Sequence, residues 1–175
     1  ILETIKVYKI QIQALVDQNQ LPAAINTAIQ VLKLLGVNIP SQPSQIDILA
    51  ALCKTKLRIG WRRISDLINL PMMIDPYQQA AMSILSSVTS ATYLAAPELF
   101  PLIVFKMVSL SVKYGHTPES PFAYTTYGII QCGVFLDIDN GHEFGQVAVH
   151  LVEKFIARDL RCKVLEEEIN MISDS

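Results

Sequence analysis

Apolar residues recur along this chain at three- and four-residue intervals, and proline or glycine interrupts each run. Ile5, Tyr8, Ile12, Leu15 and Val16 form the first stripe, a spacing that gathers side chains on one face of a helix. Asp17–Gln18–Asn19–Gln20 supplies a turn. Pro22 then suits the first turn of a second helix, where its missing N–H loses no partner. Ala24, Ala28, Val31, Leu32 and Leu35 are that helix's stripe, and Gly36 predicts a left-handed stop. Pro40 and Pro43 predict an extended link. Ser44 with Asp47 reads as an acidic capping box for a third helix, which carries Ile48, Leu49, Leu52 and Leu57 as far as Gly60. Ile64, Leu67, Ile68 and Leu70 predict a short helix before Pro71.

The second half repeats the grammar. Asp75–Pro76 predicts the cap and first position of a long helix through Leu94, broken at Ala95–Ala96–Pro97. Leu99, Phe100, Ile103, Val104, Met107, Val108 and Leu110 mark the next, which stops at Gly115. Thr117–Pro118 opens another through Tyr124, Tyr127, Ile130 and Val134. Asp137 to Gly141 reads as a turn, and His142 to about Ala157 as a helix with Phe144, Val147, Ala148, Leu151, Val152 and Phe155 inside. Asp159 to about Ile172 predicts a separate charged helix, and 159–175 a loosely packed tail. No segment sustains a period of two, so the expected class is all-α. Hairpins starting near Ile5, Ser44, Pro76 and Pro118 lie roughly 32 to 42 residues apart, within the range of helical repeats. Small residues in Leu21–Pro22–Ala23–Ala24 and Phe144–Gly145–Gln146–Val147–Ala148 allow close helix approach. The expected architecture is a stack of antiparallel helix hairpins, a tetratricopeptide-like repeat array, with a closed helical bundle as the alternative.

Composition adds surplus apolar surface. Hydrophobic residues make up 51% and charged residues 17%, against about 25% charged in ordinary soluble domains. The chain has material for one core spanning 1–175 and an apolar face left for a neighbour. It opens inside a helical pattern without methionine or signal peptide, so it reads as a piece of a longer multidomain chain. A net charge of −2 and no basic face argue against nucleic acid; Arg62–Arg63 beside Trp61 reads as a solvated edge. Tyr77 to Pro97 is uncharged and long enough to cross a bilayer, but Gln78, Gln79, Ser83, Ser86, Ser87, Thr89, Ser90 and Thr92 argue against a membrane span. Cys53, Cys132 and Cys162 are odd in number and lack a C-x-x-C spacing. They read as reduced core thiols in a cytoplasmic protein.

Catalytic patterns do not assemble. His142–Glu143–Phe144–Gly145–Gln146 approaches a zinc protease motif, but Gln146 stands where the second histidine is needed. Asp137, Asp139 and Asn140 begin like a calcium loop without its later acidic ligand; a turn that caps the following helix is the better account. His116, after Gly115, reads as a cap or a solvated residue. Phosphate loops, G-x-S-x-G and kinase motifs are missing. The expectation is no catalytic, cofactor-binding or metal residue and no enzyme in this segment. Tyr93, Tyr124 and Tyr127 are candidates to line a groove or pocket, although aromatics at helical spacing more often fill a core.

Several phrases resemble one family. They are Leu32–Lys33–Leu34–Leu35–Gly36–Val37, Leu70–Pro71–Met72 with Asp75–Pro76, Pro97–Glu98–Leu99–Phe100–Pro101–Leu102, Leu110–Ser111–Val112–Lys113–Tyr114–Gly115, Ser120–Pro121–Phe122–Ala123–Tyr124 through Tyr127–Gly128, and Asp137–Ile138–Asp139–Asn140–Gly141 followed by Phe144–Gly145. Together, over about Tyr8 to Phe155, the chain is similar to the helical region of large multidomain signalling kinases of cyanobacteria, other bacteria and fungi. Those proteins join a serine/threonine kinase, a P-loop ATPase, a helical repeat region, a GAF domain and a histidine kinase. The resemblance implies a noncatalytic protein-interaction and signal-relay segment in the cytoplasm, with neighbouring domains or a signalling protein as partner. Self-association is a further expectation, since apolar surplus can pair with itself. The rival reading is a small-ligand sensor with an apolar pocket among the helices.

Overall fold

Capping residues and glycines set the helix boundaries. The computed structural model describes residues 2–173, with side chains over 3–159 and at 161. Seven α-helices and one 3-10 helix follow in order: α1 Leu2–Asp17, α2 Leu21–Leu34, α3 Gln45–Ile59, the 3-10 helix Ile64–Asn69, α4 Pro76–Ala95, α5 Phe100–Tyr114, α6 Ser120–Phe135 and α7 Ile138–Ser173. The protein is all-α, and no strand occurs among the described residues. Ser44 Oγ accepts from the Asp47 N–H at 3.3 Å while Asp47 Oδ2 accepts from the Ser44 N–H at 2.8 Å, the reciprocal pairing that satisfies two orphan donors. Asp75 Oδ1 accepts from Tyr77 and Gln78 N–H groups to open α4. No helix of the described residues is long and apolar enough to cross a membrane.

Three helix pairs stack in chain order. The α1/α2 pair is followed by α4/α5, with α4 lying against both α1 and α2, and then by α6/α7, with α6 lying against α5. Helix α5 is the centre of the molecule. Every residue from Leu102 to Val112 except Lys106 is buried, which explains a sequence apolar all round rather than on one stripe. It is flanked by α3, α4 and α6. Thr55 of α3 is buried against it, donating to the carbonyls of Ala51 at 2.9 Å and Phe105 at 3.2 Å.

Two boundaries and one pairing differ from the sequence expectation. Helix α3 and the 3-10 helix do not form a hairpin of their own. The main neighbour of α3 is α5, and that of the 3-10 helix is α7. The Asp137–Gly141 turn is largely the first turn of α7. Leu136 turns the chain in the left-handed region at φ 55, and Asp137 accepts from the Asn140 side chain at 2.7 Å, so helix begins at Ile138. The charged segment from Asp159 is no separate helix, because α7 continues unbroken to Ser173. Most side chains of the expected loose tail lie outside the described residues.

Candidate functional site

Helices α6 and α7 cross closely because glycines meet at their contact. A Cβ at Gly128 would stand 2.7 Å from the Gly141 carbonyl oxygen, and one at Gly141 would run into Cys132 Sγ. One turn further along each helix, the space above Gly133 and Gly145 is open, with nothing within 4 Å of a Cβ at either position. These glycines line an apolar groove between the two helices, walled by Ile129, Ile138 and Val149. The three walls are 65%, 67% and 58% exposed, more than large aliphatic side chains at a helix contact usually are. Cys132 sits half-buried in the same groove. On the α7 side, His142 Nε2 lies 3.0 Å from Gln146 Nε2 and His150 Nδ1 lies 2.8 Å from the Gln146 carbonyl. The near-motif histidine therefore pairs with the glutamine that replaces a ligand.

The three candidate tyrosines do not line this groove. Tyr124 and Tyr127 are fully buried on the inner face of α6. Both pack on Phe144 of α7, Tyr124 stacked at 6.0 Å and Tyr127 edge-on at 4.8 Å. Tyr127 also meets Phe105 of α5 edge-on at 5.7 Å. Tyr93 stands apart on α4, 64% exposed and edge-on to Phe100. Tyr127 also reaches a polar cleft shared with Lys56, Arg62, Asp137 and Gln131. Burial, with the Asp137 carboxylate adding to it, pushes the Tyr127 hydroxyl up to about 12. The buried Gln131 amide lies beside it, short of a formed hydrogen bond.

His116 is neither a solvated residue nor a cap. It is 1% exposed, and its ring pairs with the Tyr124 hydroxyl at 3.2 Å. Its backbone N–H donates to Pro71 O and its carbonyl accepts from the Met73 N–H, both at 2.8 Å, a single parallel bridge tying two loops. Burial, with the Lys154 charge adding to it, holds the imidazole down to about 4, below its ordinary 6.5. The folded protein thus binds fewer protons here than the unfolded chain. This stabilisation is complete above pH 6.5 and lost as pH falls toward about 4. We expect His116 to remove roughly 2 to 3 kcal/mol of stability across that window. Urea midpoints measured from pH 7 to 4 should fall steeply in the wild type and less in His116→Gln; parallel curves would refute the assignment.

Cys53 also departs from expectation. The buried face of α3 is Leu52, Thr55 and Ile59, so the next position turns Cys53 to solvent. The Cys162 side chain lies outside the described residues. Sequence reading overlooked the groove itself. Its signal was available: glycine costs about 1 kcal/mol relative to alanine inside a helix, yet positions 128, 133, 141 and 145 are all helical glycines.

The fold and site together define an all-α protein whose last helix pair presents an apolar, glycine-floored groove. Among known proteins the chain matches no family model, no curated sequence and no solved structure.

Proposed function

We propose that this chain is a noncatalytic protein-interaction and signal-relay segment of a multidomain signalling kinase, and that the α6/α7 groove seats an α-helix bearing an uncharged apolar stripe. The groove carries the reading. Its occupant follows from the packing of this same chain, where α4 lies along the pair α1/α2; the pair α6/α7 offers a corresponding place. Glycine floors let a helix backbone come close, and Ile129, Ile138 and Val149 supply apolar contact. The family resemblance supports the kinase setting, a cytoplasmic location and a repeat-like stack able to transmit strain between neighbours. Because Tyr124 and Tyr127 are locked around Phe144 while Tyr93 stands apart, a docking role is favoured over a tyrosine-lined sensor pocket.

Gly145→Leu tests this cleanly. Leucine improves helix propensity and its Cβ meets nothing within 4 Å, while the rest of the side chain enters the groove that Gly145 lines. Fluorescence anisotropy with labelled leucine-striped helical peptides should show saturable binding to the wild type and at least tenfold weaker binding to Gly145→Leu. Equal binding to both would overturn the site. A dimer in sedimentation velocity that dissociates in Gly145→Leu would instead make a second copy the occupant. In a parent kinase, Gly145→Leu should alter regulation without changing kinase turnover; unchanged regulation would overturn the relay.

A further inference from the structure

A second cleft, between α3 and α5, gathers three cations. Lys54 and Arg58 come from successive turns of α3, and Lys106 enters from α5. Lys106 is the single charged residue in the buried run of α5, and its side chain is only partly exposed. Arg58 is held in place, its Nη1 donating to Ser109 Oγ at 2.7 Å and to Ser109 O at 3.2 Å. Thr55 and Ser109 complete a polar floor in a space of about 180 Å³. Among the described residues none of the three cations forms an ion pair. Asp47 also borders the cleft, but its Oδ2 is taken by the Ser44 N–H and hydroxyl. One carboxylate against three cations leaves two positive charges uncompensated. The repulsion registers on Lys106, which burial and then the charges of Lys54 and Arg58 draw below the ordinary lysine range.

Charges brought this close and partly out of water cost folding energy unless a counter-ion joins them. A fixed guanidinium flanked by two ammonium groups suits an oxyanion, which accepts charge-assisted hydrogen bonds from each. We propose that the α3/α5 cleft is a binding site for a small phosphate-type oxyanion, held by Lys54, Arg58 and Lys106. The space fits one phosphate group, either free or carried at the end of a small metabolite. The site is independent of the α6/α7 groove and of the docking role.

Titration calorimetry at constant ionic strength, with inorganic phosphate in one arm and glycerol phosphate in the other, tests the proposal. Saturable one-to-one binding is expected in at least one arm. Free phosphate binding alone assigns the free anion, while tighter binding of the ester assigns a phosphorylated metabolite. Lys106→Met keeps the aliphatic packing and should weaken binding at least tenfold. Lys113→Gln, an exposed lysine of the same helix paired with Tyr114, should leave it unchanged. Amide spectra of both variants check that the fold is intact, and Lys54→Gln serves as a second probe at the exposed rim. Heats that never saturate, or that are equal in wild type, Lys106→Met and Lys54→Gln, would overturn the site.

Discussion

Replacing Gly115 with alanine is expected to destabilise the protein by roughly 3 kcal/mol or more. The residue has φ 103 and ψ −179, a region that a side chain disfavours on its own account. Space compounds the problem. A Cβ there would run into the Pro71 carbonyl oxygen and lie 3.0 Å from Met72 C and Met73 N. Those are backbone atoms, and the same Pro71 carbonyl accepts the His116 N–H. The link must move, and with it the bridge that holds His116. Gly36→Ala is the internal comparison, because φ there is 75 but nothing lies within 4 Å of the new Cβ. It should cost about 1 kcal/mol. Denaturant midpoints at constant m-value compare the two; similar losses would show that the Pro71–Met73 link yields freely.

Phe144→Ala should cost about 3 to 5 kcal/mol. Phe144 is 3% exposed and touches both buried tyrosines, so its removal leaves a void between α6 and α7 that Tyr124 and Tyr127 cannot both fill. Phe144→Leu keeps most of the volume and should cost about 1.5 kcal/mol or less. Calorimetric melting of the pair would settle the point. A loss under 1 kcal/mol for the alanine variant would mean that the aromatic cluster does not hold the last helix pair. The groove above it offers a second readout, since peptide binding should weaken in Phe144→Ala and persist in Phe144→Leu.

Much of the fold was legible because its signals are local. Ser44 with Asp47, Asp75 with Pro76, and Gly36, Gly60 and Gly115 act on their own neighbourhoods, and each marks a helix boundary in the structure. Partner choice was not legible, since it depends on contacts far apart in sequence. Nothing near Gln45–Ile59 says that it will lie on α5. Asp137–Gly141 was legible as a turn that caps a helix, but its turn composition put the start of that helix at His142 instead of Ile138. His116 was misplaced because a histidine after glycine looks exposed, whereas Tyr124, eight residues on, buries it. The candidate tyrosines carried the right periodicity for an inward face and no sign of what would cover them. The three-cation cleft was invisible for the same reason as the α3 pairing. Its members come from two helices, and in the linear chain each is an ordinary solvated charge.

That α3 rests on α5 also imposes an order of events during synthesis. Thr55 and its acceptor Phe105 are separated by 50 residues. At about 5–20 residues per second, roughly 3 to 10 s pass before the second follows the first out of the ribosome. Throughout that interval α1 and α2 can already close on each other, but α3 lacks its main neighbour, α5. The nascent chain therefore carries a waiting segment, and the interior of the protein closes around α5 only when that helix arrives.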